Sequence, residues 1–395
     1  MTAGIPEPDA DAQAHSARLR DVIGEQIIAA GGRMPFWKFM EQSLYAPGLG
    51  YYSAGAHKFG AGGDFTTAPE RSPLFSQCVA HALAPVLRQL GDLAVFVELG
   101  GGSGAFAEAC LKSLDATDAL PKRYAILEPS ADLRQRQQSR LRDALPPDLF
   151  ERVDWLDGPL AEPWEGVLFA NEVIDALPAS RFVVRAGRVH EECVALDGEG
   201  RFVRAEQPAD AMLAAAVRQV EAQLPEPFTD GYRSELLVQL PYWVQAVVGG
   251  LRRGALLFID YGYARSEYYL PERSDGTLRA FRQHRMTADV FAWPGLQDIT
   301  ASVDFTALAE AGVGAGFEFA GYCSQASFLL GSGLAQRLAE AEPRIADEAG
   351  RLALHQQVRL LTLPSEMGER FQAMGFQLGV DFDEAFPVGD LSHRL

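Results

Sequence analysis

The sequence predicts an α/β fold, a Rossmann-like doubly wound sheet, on three observations. Short apolar runs recur at 94–99, 124–128, 166–171 and 255–260. Segments of helical spacing separate most of them. The first run ends in a glycine turn, Gly100-Gly101-Gly102-Ser103-Gly104. Runs that are apolar throughout, instead of alternating with polar residues, mark strands covered on both faces, as parallel strands flanked by helices are.

Taken in order, residues 1–15 read as a disordered N-terminus. Residues 17–30 carry helical spacing through Leu19, Val22, Ile23 and Ile27, and stop at Gly31-Gly32. From 35 to 75 the chain is rich in aromatics, Gly and Pro, and a helix is expected over 75–87, so 16–90 reads as an N-terminal helical or cap lobe. The Rossmann-like core is expected over 91–330. It comprises strand 94–99, a helix starting near Ala105, strand 124–128, a helix over 132–145, a short strand at 152–155, and strands 166–171 and 255–260. The gap between the last two exceeds one crossover helix. Within it, 181–189 and the turn Asp197-Gly198-Glu199-Gly200 predict a β-meander inserted at 180–235, followed by a helix near 242–251. An Arg- and Tyr-rich loop spans 263–298, and 331–395 reads as a helical C-terminal region packed on the core.

Composition narrows the function. The 395 residues carry a formal net charge of −18, which repels nucleic-acid phosphates and suits a cationic acceptor. Cys78, Cys110, Cys193 and Cys323 are scattered, with no C-x-x-C pair, which predicts buried thiols in a reducing compartment and no metal site. The acidic start lacks a signal or transit pattern, and no apolar stretch approaches the ~18 residues of a membrane span. A cytoplasmic protein without a membrane span is expected.

The glycine turn is a nucleotide-cofactor signal. Gly100-x-Gly102-x-Gly104 has the G-x-G-x-G form expected for S-adenosyl-L-methionine, while Ala105 completes a G-x-G-x-x-A pattern that keeps NAD and an oxidoreductase open. Glu98, at the end of its strand, can address the cofactor's ammonium group. Glu128 ends the second strand, 24 residues after Gly104, where an ionised carboxylate can accept from both ribose hydroxyls. Trp155 can stack on adenine or serve as a buried aromatic.

Seven further strings resemble those of the MidA family of class I S-adenosyl-L-methionine-dependent methyltransferases. They are Leu44-Tyr45-Ala46-Pro47-Gly48-Leu49-Gly50-Tyr51-Tyr52, Gly63-Asp64-Phe65-Thr66-Thr67-Ala68-Pro69-Glu70, Asn171-Glu172-Val173-Ile174-Asp175-Ala176-Leu177-Pro178, Ile259-Asp260-Tyr261-Gly262, Gly276-Thr277-Leu278, Gln297-Asp298-Ile299-Thr300 and Val303-Asp304-Phe305. The resemblance implies the class I methyltransferase fold, S-adenosyl-L-methionine as donor and, for a mitochondrial complex I assembly relative, arginine methylation of a respiratory complex subunit. An assembly factor that binds the cofactor but acts as a chaperone is the alternative. The family loop commonly reads Glu-Leu-Gly-Pro-Gly-x-Gly; Gly101 replaces that proline here, which predicts a looser turn.

Methyl transfer is an in-line displacement, so alignment and desolvation are what a protein supplies. Glu172 and Asp175, after the fourth strand, are the catalytic candidates, because paired carboxylates can orient a guanidinium and localise its charge. Asp175 can equally be a turn or cap residue. Asn171 is assigned to the cofactor, with substrate amides as a second option. Asp260 and Tyr261 can line the acceptor side. Tyr268, Tyr269, Arg279, Arg282, His284 and Arg285 can hold a peptide or pair with the chain's own acids, and His284 is a candidate base. Finally, 63–70 reads as a lid, with Thr67 and Glu70 reaching the methionine portion of the cofactor.

Overall fold

The computed structural model describes residues 6–54, 67–283 and 285–395. The chain divides into two units, one of Thr66–Val173, Pro241–Gly262 and Phe305–Leu395, the other of Met1–Phe65, Ile174–Leu240 and Tyr263–Asp304.

The first unit is built on a sheet. Its strands are β1 (Val95–Leu99), β2 (Arg123–Leu127), β3 (Val153–Leu156), β4 (Trp164–Asn171), β5 (Leu251–Tyr263), β6 (Glu318–Ser324) and β7 (Phe371–Leu378). They lie side by side in the order 3-2-1-4-5-7-6. β1 to β5 are mutually parallel, and β7 runs antiparallel between β5 and β6. The apolar runs explain this placement: Phe96, Val97, Leu168, Phe169, Leu256 and Leu257 are all buried, so both faces are covered. Strand order reverses between β1 and β4. Open α/β sheets bind ligands at such a switch point, outside the carboxyl ends of the strands.

Three helices position the site. α1 (Pro73–Leu90) starts where Ser72 Oγ accepts the Leu74 amide at 3.3 Å. α2 (Ala105–Asp115) follows the glycine turn, and α3 (Ala131–Ala144) is capped by Ser130. α1 buries Leu74, Phe75, Val79, Leu83 and Val86 in the same core as Phe96, Tyr124 and Phe169. The expected lobe at 16–90 is therefore divided, because this amphipathic helix is part of the sheet's own core. The C-terminal region also differs from a purely helical one. Leu334–Ala341 and Glu348–Thr362 are helices, but Phe371–Leu378 enters the sheet. Gln372 and Gly375 interrupt its apolar run, although both lie within the buried stretch.

In the second unit a helix begins at Ala10, where Asp9 Oδ1 accepts the Ala12 amide at 2.9 Å. Residues 10–15 are thus helical, correcting the disorder expected through residue 15: a good cap and an Ala-rich first turn extend the helix that buries Leu19, Ile23 and Ile27. The inserted strands Ser180–Arg185, Arg188–Leu196 and Phe202–Pro208 form an antiparallel meander, with Arg233–Leu236 pairing the first of them. Ala186 and Gly187 join the first two strands with φ of 47° and 72°, the signature of a two-residue primed hairpin turn. The long segment after β5 is not all loop: Arg279–Arg282 pairs with both Arg285–Thr287 and Asp298–Thr300. All four cysteines are buried and free. Among the described residues no helix is long and apolar enough to cross a membrane.

Candidate active site

The carboxyl ends of β2, β1 and β4 lie level, since Leu127 pairs with Leu99 and Leu99 with Ala170; Phe258 of β5 pairs with Ala170, and β5 runs on to Tyr263. Gly100, Glu128 and Asn171 therefore lie along one edge of the sheet, with Asp260 of β5 one residue beyond the pair of Ile259 with Asn171. Gly100, Gly102 and Gly104 have φ of 66°, 52° and 83°, backbone states that L side chains seldom adopt. The Gly104 amide donates to the Gly101 carbonyl at 2.8 Å, closing the turn before α2. A Cβ on Gly101 would stand 2.8 Å from Ile126 Cγ2 and 3.0 Å from Gln137 Nε2. The turn is therefore not loosened by the missing proline, because its neighbours fill the space a ring would take.

Glu98 is buried, and its Oε2 accepts the Tyr124 hydroxyl at 2.8 Å. Burial pushes its carboxyl up to about 8; the Tyr124 hydrogen bond opposes that rise, and the nearby Glu128 charge adds to it. Glu128 is also buried, with Oε1 accepting the Ser130 amide at 3.0 Å and Oε2 accepting Gln137 Nε2 at 3.3 Å. Trp155 Nε1 donates to Gln137 Oε1 at 2.9 Å, and its ring lies beside Phe150. The structure thus brings Gly102, Glu128 and Trp155 together through Gln137, which the sequence reading passed over. Its signal was available: Leu133, Gln137 and Leu141 form the buried i, i+4, i+8 stripe of α3, where an amide on an apolar face demands a polar partner.

The turn after β4 forms the other wall. A Cβ on Gly100 would meet Val173 Cγ2 at 3.0 Å, so glycine loop and turn abut. Glu172, at φ 54°, is held in the left-handed region, and its amide donates to the Ile259 carbonyl at 2.9 Å. Such backbone strain costs about 1–3 kcal/mol and concentrates at functional sites. Asn171 Nδ2 donates to Glu172 Oε1 at 3.1 Å, while Asn171 Oδ1 is buried with no hydrogen-bond partner among the described residues, an acceptor suited to a ligand donor. Asp260 is buried and its carboxylate accepts the Val173 and Tyr261 amides at 3.3 and 2.9 Å, so it braces this wall. Thr67 is the N-cap residue of the turn Ala68–Arg71, without a side-chain cap bond, and Glu70 accepts from Ser103 in the glycine turn. Residues 63–66 of the expected lid, and His284, lie outside the described residues.

The second unit holds the remaining candidates. Asp175 is buried there, and its carbonyl accepts the Ala301 amide at 3.0 Å. Tyr52 donates to Asp298 Oδ1 at 2.8 Å; its hydroxyl is raised well above its ordinary value first by burial, then by Asp298, Tyr45 and Asp175. Tyr268 and Tyr269 are core residues rather than peptide contacts, for both are buried and donate to Glu235. That glutamate belongs to an ion cluster in which buried Arg181 meets buried Glu192 and Glu235 at 2.8 and 2.9 Å and exposed Asp275 at 3.0 Å.

Known proteins share this framework. Residues 78–323 match the family model described as "Putative S-adenosyl-L-methionine-dependent methyltransferase". A Burkholderia thailandensis protein crystallised with S-adenosyl-homocysteine is 42% identical, covers 99% of this chain and 100% of its own, and superposes with a TM-score of 0.92. The mitochondrial protein arginine methyltransferase NDUFAF7 homolog of Drosophila melanogaster is 27% identical over 95% of this chain and 88% of its own length. The Danio rerio protein arginine methyltransferase NDUFAF7, also mitochondrial, is 27% identical over 89% and 84%. These two relatives correct the expectation of a cytoplasmic protein, for both carry the mitochondrial designation.

Proposed function

The chain belongs to this family of S-adenosyl-L-methionine-dependent methyltransferases, and from that premise we propose that it methylates arginine in a protein acceptor. The NAD alternative left open by Ala105 falls with that membership. The residues present fit the cofactor: three glycines in positive-φ states form a cradle, and Asn171 Oδ1 is a buried acceptor suited to a ligand donor. Glu98 would serve the ammonium group, Glu128 the ribose, Trp155 the adenine, and Thr67 and Glu70 the methionine portion. When bound, S-adenosyl-L-methionine supplies an electrophilic methyl group on a sulfonium.

The observation that carries the acceptor assignment is Glu172. It sits at φ 54° on the turn after β4, next to Val173, whose side chain abuts Gly100 of the glycine loop. A guanidinium donating to Glu172 would have its charge drawn to that side, leaving another nitrogen to face the methyl group. Asp175, three residues on in the sequence, is proposed as a second acid on its sequence spacing alone. The net charge of −18 suits a cationic acceptor, and the relatives named above as arginine methyltransferases support the reading. A respiratory complex subunit is the proposed acceptor, as the family resemblance implies.

The test is mass spectrometry of methylated peptides from cells with and without this chain, followed by transfer from tritiated S-adenosyl-L-methionine to the recovered protein. The expected result is an arginine methyl mark that needs the chain and is made by the purified protein. A mark on another residue type would overturn the arginine assignment. Loss of assembly without loss of any mark would favour the chaperone reading.

A further inference from the structure

We propose that Gln137 is a positioning residue of the cofactor site, setting three groups that surround the adenosine half of the ligand. The inference rests on the cofactor-site reading above and goes beyond it, since no sequence motif points to this glutamine.

Gln137 is completely buried. Its amide nitrogen donates to the Gly102 carbonyl at 2.9 Å and to Glu128 Oε2 at 3.3 Å, while its oxygen accepts Trp155 Nε1 at 2.9 Å. One rigid amide thus fixes the backbone of the glycine turn, one oxygen of the strand-end acid and the plane of the indole. Because the amide has one acceptor and two donor sites, these bonds specify which way round it sits. Leu133 and Leu141, one helical turn to either side on α3, are buried and hold the side chain in place.

The glycine turn is fitted to this side chain. A Cβ at Gly101 would come within 3.0 Å of Gln137 Nε2. Glycine at this position, where the family commonly has proline, leaves room for the amide to reach Gly102. Glu128 Oε2 accepts from Gln137 and its other oxygen takes the Ser130 amide, so both carboxylate oxygens are fixed. A carboxylate held from both ends is already oriented for a diol, which lowers the cost of ordering it on binding.

The test compares Gln137→Met, which retains length and apolar volume but removes the hydrogen bonds, with Glu128→Ala and the double variant. Calorimetry measures affinity for S-adenosylhomocysteine and for 5′-methylthioadenosine, which retains the adenosine half alone. Loss of hydrogen bonds to charged or loop groups predicts about tenfold weaker binding in Gln137→Met, and by the same factor for both ligands. Its melting temperature should fall, because Trp155 Nε1 and the Gly102 carbonyl lose their partner, so affinities are compared well below the transition of both proteins. In the Glu128→Ala background the same substitution should cost less, because one of the groups it orients has gone. A purely packing role would leave both affinities unchanged, and wild-type binding by Gln137→Met would overturn the proposal. If Glu128→Ala binds normally, the ribose assignment falls separately, and Gln137→Met still reads the Gly102 and Trp155 bonds. Should Gln137→Met fail to fold, Gln137→Leu takes its place, keeping an apolar side chain at the site while losing both donor and acceptor. The same tenfold loss is expected, and unaltered binding overturns the proposal.

Discussion

Glu98→Gln should convert a pH-sensitive protein into a less sensitive one. Glu98 is enclosed by Tyr124 on β2 and Cys110 on α2, with Glu128 nearby, and its carboxyl is pushed from 4.5 up to about 8, chiefly by burial. A carboxyl whose value is higher in the folded than in the unfolded chain binds more protons when folded, so it makes stability fall as pH rises. That fall runs between about pH 4.5 and 8 and is complete above it. At about 1.4 kcal/mol per pH unit the whole interval is worth roughly 5 kcal/mol. Glutamine retains an oxygen to accept the Tyr124 hydroxyl but cannot ionise. The stabilities of ligand-free parent and variant should therefore be similar at pH 5, with the variant gaining several kcal/mol by pH 9, as read by urea unfolding at unit pH steps. A difference that stays constant across the range would refute the reasoning. If Glu98 also receives the cofactor's ammonium group, S-adenosylhomocysteine binding near pH 7 should release a fraction of a proton. Calorimetry in buffers of different ionisation enthalpy should detect the release in the parent and not in Glu98→Gln.

Glu128→Ala removes the ribose acceptor, and Gly102→Val places a branched side chain at φ 52°; each should weaken S-adenosylhomocysteine binding at least tenfold on a scale of ~1.4 kcal/mol per decade, with unchanged affinity in both sinking the assignment. Glu172→Gln and Asp175→Asn should bind the cofactor normally but lose about 100-fold or more in methyl transfer, as expected where a charged partner orients the acceptor; full turnover in both returns these acids to structural roles. Hydrogen exchange at residues 67–71 should slow on adding S-adenosyl-L-methionine, alongside residues 98–105, because Glu70 already bonds Ser103 in the glycine turn. Protection confined to 98–105 would show that this segment does not respond to the cofactor.

What could be read from the sequence follows from how each residue earns its burial. β1, β2, β4 and β5 are covered on both faces, so their central runs are largely apolar, and Gly100, Glu128, Asn171 and Asp260 mark where those runs stop. Parallel strands of this kind announce themselves, and with them the level edge where the candidate site lies. β7 does not, because Gln372 and Gly375 break its run. Glycine is needed at 375 to admit the rings of Phe382 and Phe386, a demand that arises from residues adjacent only after folding. The division of the chain into units was hidden for a related reason: the segments 174–240 and 263–304 are separated by β5, yet share one unit.

Gln137 shows how the hidden part of such a site can still leave a trace. Local propensity welcomes glutamine in a helix, so nothing at the level of α3 flags it. The conflict appears only against periodicity, where Leu133 and Leu141 mark the face that must be buried and a polar amide stands midway between them. A buried amide costs several kcal/mol unless its donors and acceptor are met. Its tolerance therefore implies partners on the sheet side of the helix. The strand ends that α3 follows and precedes supply them, in Glu128 and Trp155, and the glycine turn supplies the third in Gly102. A polar residue on the apolar stripe of a helix next to a nucleotide-type loop is thus a physical pointer to the shell that orients the ligand's contacts.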